Sequence, residues 1–213
     1  MLDELARRWQ AGWSVSRGWT DVDEDRGVTV LRIGDPERMV SYLVADARLE
    51  YAARLARADE HAGGLSWLSV VTTEANRVLP RIQAEGLEYR RTEWLMTIAL
   101  DQQPVLRAPE PCVVEVGRRD GAIVAEVRVG DDVGASGRMV VIGKDAVADL
   151  IWTEPGHRRR GLGSAVMSAL VAEARRDGAT TGLLTASGDG RALYERLGWV
   201  TYGEVVVART RVR

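Results

Sequence analysis

The chain has 213 residues, 46% hydrophobic and 28% charged, enough for one large domain or two small ones with buried cores. Its 29 basic and 31 acidic residues leave a net charge of −2, which removes any general electrostatic draw toward nucleic acid or a membrane, so neither is expected as a partner. A single cysteine, Cys112, excludes an intrachain disulfide, and with only two histidines no thiolate or imidazole metal cluster is expected. Asp3, Glu4, Arg7 and Arg8 interrupt the first turns, and no run approaches about 18 apolar residues, so the expected location is the cytoplasm.

Leu2, Leu5, Ala6, Trp9 and Trp13 recur at helical spacing and predict an amphipathic helix over 2–13. Two β-branched runs, 28–33 and 39–44, flank the turn residues Gly34, Asp35 and Pro36 and read as a hairpin. Residues 47–61 read as a helix stopped at Gly63 and Gly64. A strand over 66–71 follows, then a short helix over 78–85 with Pro80 in its first turn, then a strand over 92–100. The prolines of 102–111 mark a linker. Three strands, 122–129, 138–142 and 146–153, are separated by Gly130-Asp131-Asp132 and Gly143-Lys144-Asp145, the pattern of an antiparallel meander. A helix over 164–176 places Val166, Met167, Leu170, Val171 and Ala174 on one face.

Strand, helix, strand recurs before and after the linker, with the helix ending in Glu85-Gly86-Leu87 in one case and Leu197-Gly198-Trp199 in the other. The order suggests a duplicated module, divided as 1–101, a linker 102–111, and 112–213. Four residues before Gly86 stands Ile82, where the second copy has Tyr194. The first copy also lacks the second's most distinctive feature, a corner of arginines and glycines over 149–163.

In that corner a strand ends at Pro155 and a helix starts after Gly163. The first N–H groups of a helix lack intrahelical partners, and the dipole there favours negative charge, so the corner suits a phosphate-bearing ligand. Gly161 and Gly163 leave the backbone open to it. A nucleotide triphosphatase loop is excluded because Gly143-Lys144-Asp145 lacks the hydroxyl and the preceding glycine. A dinucleotide fingerprint is excluded because Val166 stands where its third glycine belongs.

His157-Arg158-Arg159-Arg160-Gly161-Leu162-Gly163 resembles the R/Q-x-x-G-x-G/A signature of the GNAT superfamily of acyl-CoA-dependent N-acetyltransferases. The stretch Leu183–Ser187 and then Gly190 to Trp199, containing Leu193-Tyr194-Glu195-Arg196-Leu197-Gly198-Trp199, is similar to that family's second signature. The resemblance covers roughly 112–213 and implies a mixed α/β (α+β) fold. Its central sheet would be mostly antiparallel, splayed at the cofactor strand, with helices on both faces. A tandem arrangement with a degenerate first copy would fit the repeat.

The resemblance also implies roles. Acetyl-CoA is the expected acyl donor, its pyrophosphate on the N–H groups of Arg159, Arg160, Gly161, Leu162, Gly163 and Ser164, with Arg158, Arg159 and Arg160 supplying charge. Main-chain groups of Ile151, Trp152 and Thr153 would hold the pantetheine arm, and one of their N–H groups would polarise the acyl carbonyl. Ser187 and Asp189-Gly190 stand where the family often has an asparagine that touches the cofactor. Tyr194 matches the general acid, since a phenol with a pKa near 10 keeps its proton at neutral pH. Asp149, on the parity of Ile151 and Thr153, is the candidate base, with Glu154 and Glu126 behind it. His157 reads as a packing residue, and Cys112 is too remote for an acyl-cysteine. The acceptor is expected to be a primary amine of a small molecule or peptide. The alternative is a non-catalytic acyl-CoA-binding regulator.

Overall fold

The computed structural model describes residues 1–61 and 64–211, leaving out the side chain of residue 61. In chain order the elements are α1 (Leu2–Arg17), β1 (Val22–Asp25), β2 (Val28–Asp35), β3 (Arg38–Ala45), α2 (Leu49–His61), β4 (Ser66–Thr72), α3 (Ala75–Ala84) and β5 (Glu88–Ala99). There follow β6 (Val113–Arg119), β7 (Ala122–Val129), β8 (Asp132–Ile142), β9 (Asp145–Thr153), α4 (Leu162–Arg176), β10 (Thr181–Ala186), α5 (Gly188–Arg196) and β11 (Val200–Arg209). The fold is mixed α/β with mostly antiparallel strand pairing.

Two compact units form, neither contiguous in sequence. One comprises Met1–Gln10, Trp19–Leu95 and the chain from Thr201, the other Ala11–Gly18 and Met96–Val200. In the first unit the strand order is β1-β2-β3-β4-β11. The expected hairpin is β2 and β3, paired from Val28↔Val44 onward. Strand β1, absent from the sequence reading, is a row of exposed and half-exposed residues joined to β2 by a turn at Arg26 and Gly27, both at positive φ. β3 and β4 are parallel, with α2 as the crossover. α2 and α3 bury Ala52, Ala53, Ala56, Val78 and Ile82 against Val30, Val44, Leu68, Val70 and Val206. Each large apolar side chain so buried contributes about 1.5–3 kcal/mol.

Three local expectations need correction or comment. α3 starts at Ala75, three residues earlier than expected, so Pro80 lies inside the helix and not in its first turn. The start is set from a distance: the Glu204 carboxylate accepts the Ala75 N–H at 2.7 Å, and Thr72 Oγ1 accepts the Glu74 N–H at 3.0 Å. The expected stop of α2 involves Gly63, which lies outside the described residues, while the Gly64 N–H donates to the Asp59 carbonyl at 2.9 Å. Finally, the division expected at 102–111 put the last strand with the second half. β11 instead pairs with β4 from Glu204↔Thr72 to Arg209↔Trp67 in the first unit, where it satisfies the backbone of a strand buried along nearly its whole length.

In the second unit the order is β10-β9-β8-β7-β6, with the end of β5 beside β10. β6 to β9 form the antiparallel meander, its turns carrying Gly121, Gly130 and Gly143 at positive φ. α4 packs on one face of that sheet with the five predicted residues buried. Gly137 permits the close approach, since a Cβ there would lie 2.4 Å from Ile151 Cδ1 and 2.9 Å from Val166 Cγ1. The second part of α1 covers the other face, where Gly12 sits against Val147. Residues 103–106 of the expected linker are docked at Gln103 and Leu106. Gln103 is buried, donates to the Met167 carbonyl at 3.2 Å and accepts from Trp199 Nε1 at 2.7 Å, and Ser168 Oγ accepts the Leu106 N–H. Among the described residues no helix is long and apolar enough to cross a membrane.

Candidate functional site

The site starts from a failure of strand pairing. β9 and β10 are parallel neighbours over only three residue pairs, Asp145↔Thr181 to Val147↔Leu183. Beyond them β9 continues to Thr153, paired with β8 alone, so its edge from Ala148 onward carries backbone groups with no partner on β10. Ile151, Trp152 and Thr153, named from sequence, lie in this splayed stretch. The β8–β9 register explains part of the divergence. Leu150 and Ile151 together face Gly137, a β-bulge, and Leu150 takes a left-handed φ of 55°.

α4 opens toward the same place. Its N-cap is Gly161, at φ 83°, with no side chain to bond the helix start. The first intrahelical bond is from the Ala165 N–H to the Gly161 carbonyl, which leaves the N–H groups of Leu162, Gly163 and Ser164 without helical partners. These groups border a cavity of about 750 Å³ that is also lined by Ile151, Trp152, Thr153, Arg158, Arg159, Ser187 and Tyr194. Gly163 leaves space there: a Cβ would stand 3.2 Å from Leu193 Cδ2 and 3.3 Å from Thr153 Oγ1, a tight fit.

The arginines divide as their contacts dictate. Arg159 lines the cavity at a φ of 63° and makes no ion pair with the described residues. Arg158 lies 5.2 Å from the Trp152 ring centroid and donates from Nε to the Thr153 carbonyl at 3.3 Å. Arg160 is drawn away to His157, with Nη1 2.7 Å from Nδ1, and is not among the cavity residues. His157 packs near Gly134. Ser187 caps α5, accepting the Gly190 N–H at 3.2 Å, while bordering the cavity. Asp189 and Gly190 line it too, as do Ala192, Leu193 and Arg196, which were missed by sequence reasoning.

Tyr194 is 6% exposed, its ring 6.1 Å from that of Trp199, and its hydroxyl has no hydrogen-bond partner among the described residues although the side chain lines the cavity. Burial pushes its phenol above the ordinary range, and the charge of Asp149 pushes the same way. Asp149 itself is placed differently from expectation. The bulge reverses the alternation, so Asp149, opposite Arg138, shares a face with Trp152, opposite Ser136, and not with Ile151 or Thr153. Its carboxylate is engaged: Ser16 Oγ donates to Oδ2 at 2.9 Å, and Arg17 donates from Nε at 2.6 Å and Nη2 at 3.0 Å.

The first unit treats the corresponding elements otherwise. β3 and β4 pair over six residues, Val40↔Ser66 to Ala45↔Val71, with no splay. The start of α2 carries Asp46 and Glu50 in place of glycines, and Arg81 is spent on them, donating to the Asp46 carbonyl at 2.7 Å and to the Glu50 carboxylate. Ile82, the counterpart of Tyr194, is fully buried in the apolar core.

Residues 113–201 match the model of the acetyltransferase (GNAT) domain. The chain carries a GNAT domain. Solved structures with the same fold include a GCN5-related N-acetyltransferase from Kribbella flavida, 16% identical, with a TM-score of 0.76 over 100% of this chain and 96% of that one. A GCN5-related N-acetyltransferase from Sphaerobacter thermophilus is 14% identical, with a TM-score of 0.64 over 94% of this chain and 85% of that one. A tandem GNAT protein from the clavulanic acid biosynthesis pathway, 13% identical, has a TM-score of 0.59 over 86% of this chain and 78% of that one. No curated protein matches the chain. The match places residues 113–201 with acyl-transferring domains in general.

Proposed function

We propose that the GNAT domain binds acetyl-CoA in the 750 Å³ cavity and passes the acetyl group directly to a primary amine of a small molecule or peptide in the cytoplasm. The observation that carries this reading is the convergence, on one cavity, of an uncapped helix start, a strand edge left unpaired by β10 and a tyrosine hydroxyl with no partner among the described residues. The residues fit the donor. The N–H groups of Leu162, Gly163 and Ser164 offer a pyrophosphate site where helix-end charge adds about 0.3–1 kcal/mol when exposed. Arg159 and Arg196 supply cations that no carboxylate of the described residues has claimed. The free edge of β9 offers backbone donors and acceptors to an amide-bearing arm, with an N–H there to polarise a carbonyl.

Bound acetyl-CoA supplies the acetyl group as an activated thioester. Tyr194 holds a proton at its hydroxyl, raised by burial above the usual phenol range, and gives it to the departing thiolate. Asp149, with its oxygens taken by Arg17 and Ser16, acts on Tyr194 through its charge, and the amine's proton leaves through water, which returns one to the Tyr194 phenolate. The first unit is a degenerate copy: its paired strands, acidic helix start and Ile82 leave neither slot nor acid.

A library of primary amines assayed for free CoA tests the proposal. Turnover with at least one amine, falling about 100-fold or more in Tyr194→Phe, is the expected result. Binding of acetyl-CoA without turnover across a broad library would instead identify a regulator.

A further inference from the structure

Asp149 precedes the bulge at Leu150, and what holds it lies more than a hundred positions away, in the last turn of α1. Arg17 grips the carboxylate with both Nε and Nη2, and Ser16 Oγ adds a third bond at 2.9 Å. Arg138, directly across from Asp149 on β8, donates from Nη1 to the Ser16 carbonyl at 2.8 Å and closes the loop. The Asp149 side chain is 10% exposed, so the carboxylate depends on these partners, and a two-pronged guanidinium fixes its direction as well as its charge.

The backbone consequence lies one residue on. Leu150 stands in a left-handed conformation that a leucine adopts only under constraint from its surroundings, and the bulge it forms re-aims the chain into Ile151, Trp152 and Thr153. Past Asp149 nothing on β10 pairs with β9 to steady it. The clamp is therefore the anchor on the open side of the splay.

We propose that Arg17 and Ser16 are positioning residues for the cofactor arm: by clamping Asp149 they hold the bulge that presents the free edge of β9 to the pantetheine portion of acetyl-CoA. The inference rests on the acetyl-CoA reading of the cavity. It also assigns different anchors to different parts of one ligand. The phosphates sit on α4 and its arginines, which the clamp does not touch, and the arm sits on β9, which it does.

Calorimetry with two probes separates these parts: acetyl-CoA, and adenosine 3′,5′-bisphosphate, which carries phosphates but no pantetheine. Arg17→Ala is expected to weaken acetyl-CoA roughly tenfold or more while adenosine 3′,5′-bisphosphate binds as to the wild type. Asp149→Asn should do the same, Arg17→Lys should recover part of the loss, and the Arg17→Ala, Asp149→Asn pair should be no worse than either alone. A merely destabilising change would lower the melting temperature or weaken both probes equally. Unchanged acetyl-CoA affinity in Arg17→Ala, or equal loss of both probes, overturns the proposal. Should Arg17→Ala not fold, Ser16→Ala and Arg17→Lys carry the test, with the same selective loss expected at smaller size. Failure of the wild type to bind either probe would overturn the cavity reading itself, a result distinct from wild-type binding that the clamp variants leave intact.

Discussion

Gly163→Ala isolates the phosphate cradle from the rest of the fold. The added methyl carbon would stand 3.2 Å from Leu193 Cδ2 and 3.3 Å from Thr153 Oγ1, a few tenths of an ångström inside ordinary contact. Both neighbours line the cavity and have room to yield, so overpacking costs about 1 kcal/mol. Replacing glycine inside a helix returns about 0.5–1 kcal/mol, which leaves net stability nearly unchanged and the melting temperature within about 4 °C. Binding is affected differently, because the methyl group narrows the gap between Thr153 and Leu193 beside the free N–H groups of α4. A loss of about 1.4 kcal/mol, tenfold in Kd for acetyl-CoA, is expected by calorimetry. Gly161→Ala makes the contrast. Nothing lies within 4 Å of its Cβ, but its φ of 83° penalises any side chain, so stability falls by about 1–2 kcal/mol without steric intrusion on the cradle. A Gly163→Ala protein that melts normally and binds acetyl-CoA as tightly as the wild type would refute this geometry.

Tyr194→Phe removes a hydroxyl that has no partner among the described residues, so the melting temperature at neutral pH should hold while turnover drops about 100-fold or more. The same variant reports on alkaline stability. A phenol raised by burial keeps its proton in the folded state where the unfolded chain releases it, so wild-type stability should decline as pH rises above about 10, and the Phe variant should decline less across pH 9–11. Glu204→Ala strips the bond that starts α3 and should cost about 1–2 kcal/mol, read as a lower midpoint in urea with unchanged slope. Gly12→Val should be severe, because even a Cβ at that position would lie 2.3 Å from Val147 Cγ2 within the second unit; loss of soluble protein or a large fall in melting temperature is expected.

The parts legible in the sequence were those whose determinants are local. The α4 stripe, the glycine corner and the turns from β7 to β9 depend on residues a few positions apart, and they stand where periodicity and turn chemistry put them. Tyr194 was reachable through its motif. The rest depends on partners distant in sequence. The start of α3 is set by Glu204, 129 positions away, which moved Pro80 into the helix interior. β1 reads Val-Asp-Glu-Asp, with no apolar alternation, and is a strand only because β2 offers it an edge. β11 joins β4, a choice that no local pattern encodes. The bulge at Leu150 reversed the parity from which Asp149 had been aimed at the cleft, and the bonds of Asp149 to Ser16 and Arg17 span more than a hundred residues. Residues 102–111 look like a spacer by composition, yet Gln103 ties them to Met167 and Trp199.

The central claim is that the cavity between the splayed end of β9 and the start of α4 takes an acyl-CoA. Isothermal calorimetry of the wild-type chain with acetyl-CoA tests it most directly. Saturable binding of one acetyl-CoA per chain, weakened in Gly163→Ala, is expected; no detectable heat at millimolar acetyl-CoA would overturn the assignment of this cavity.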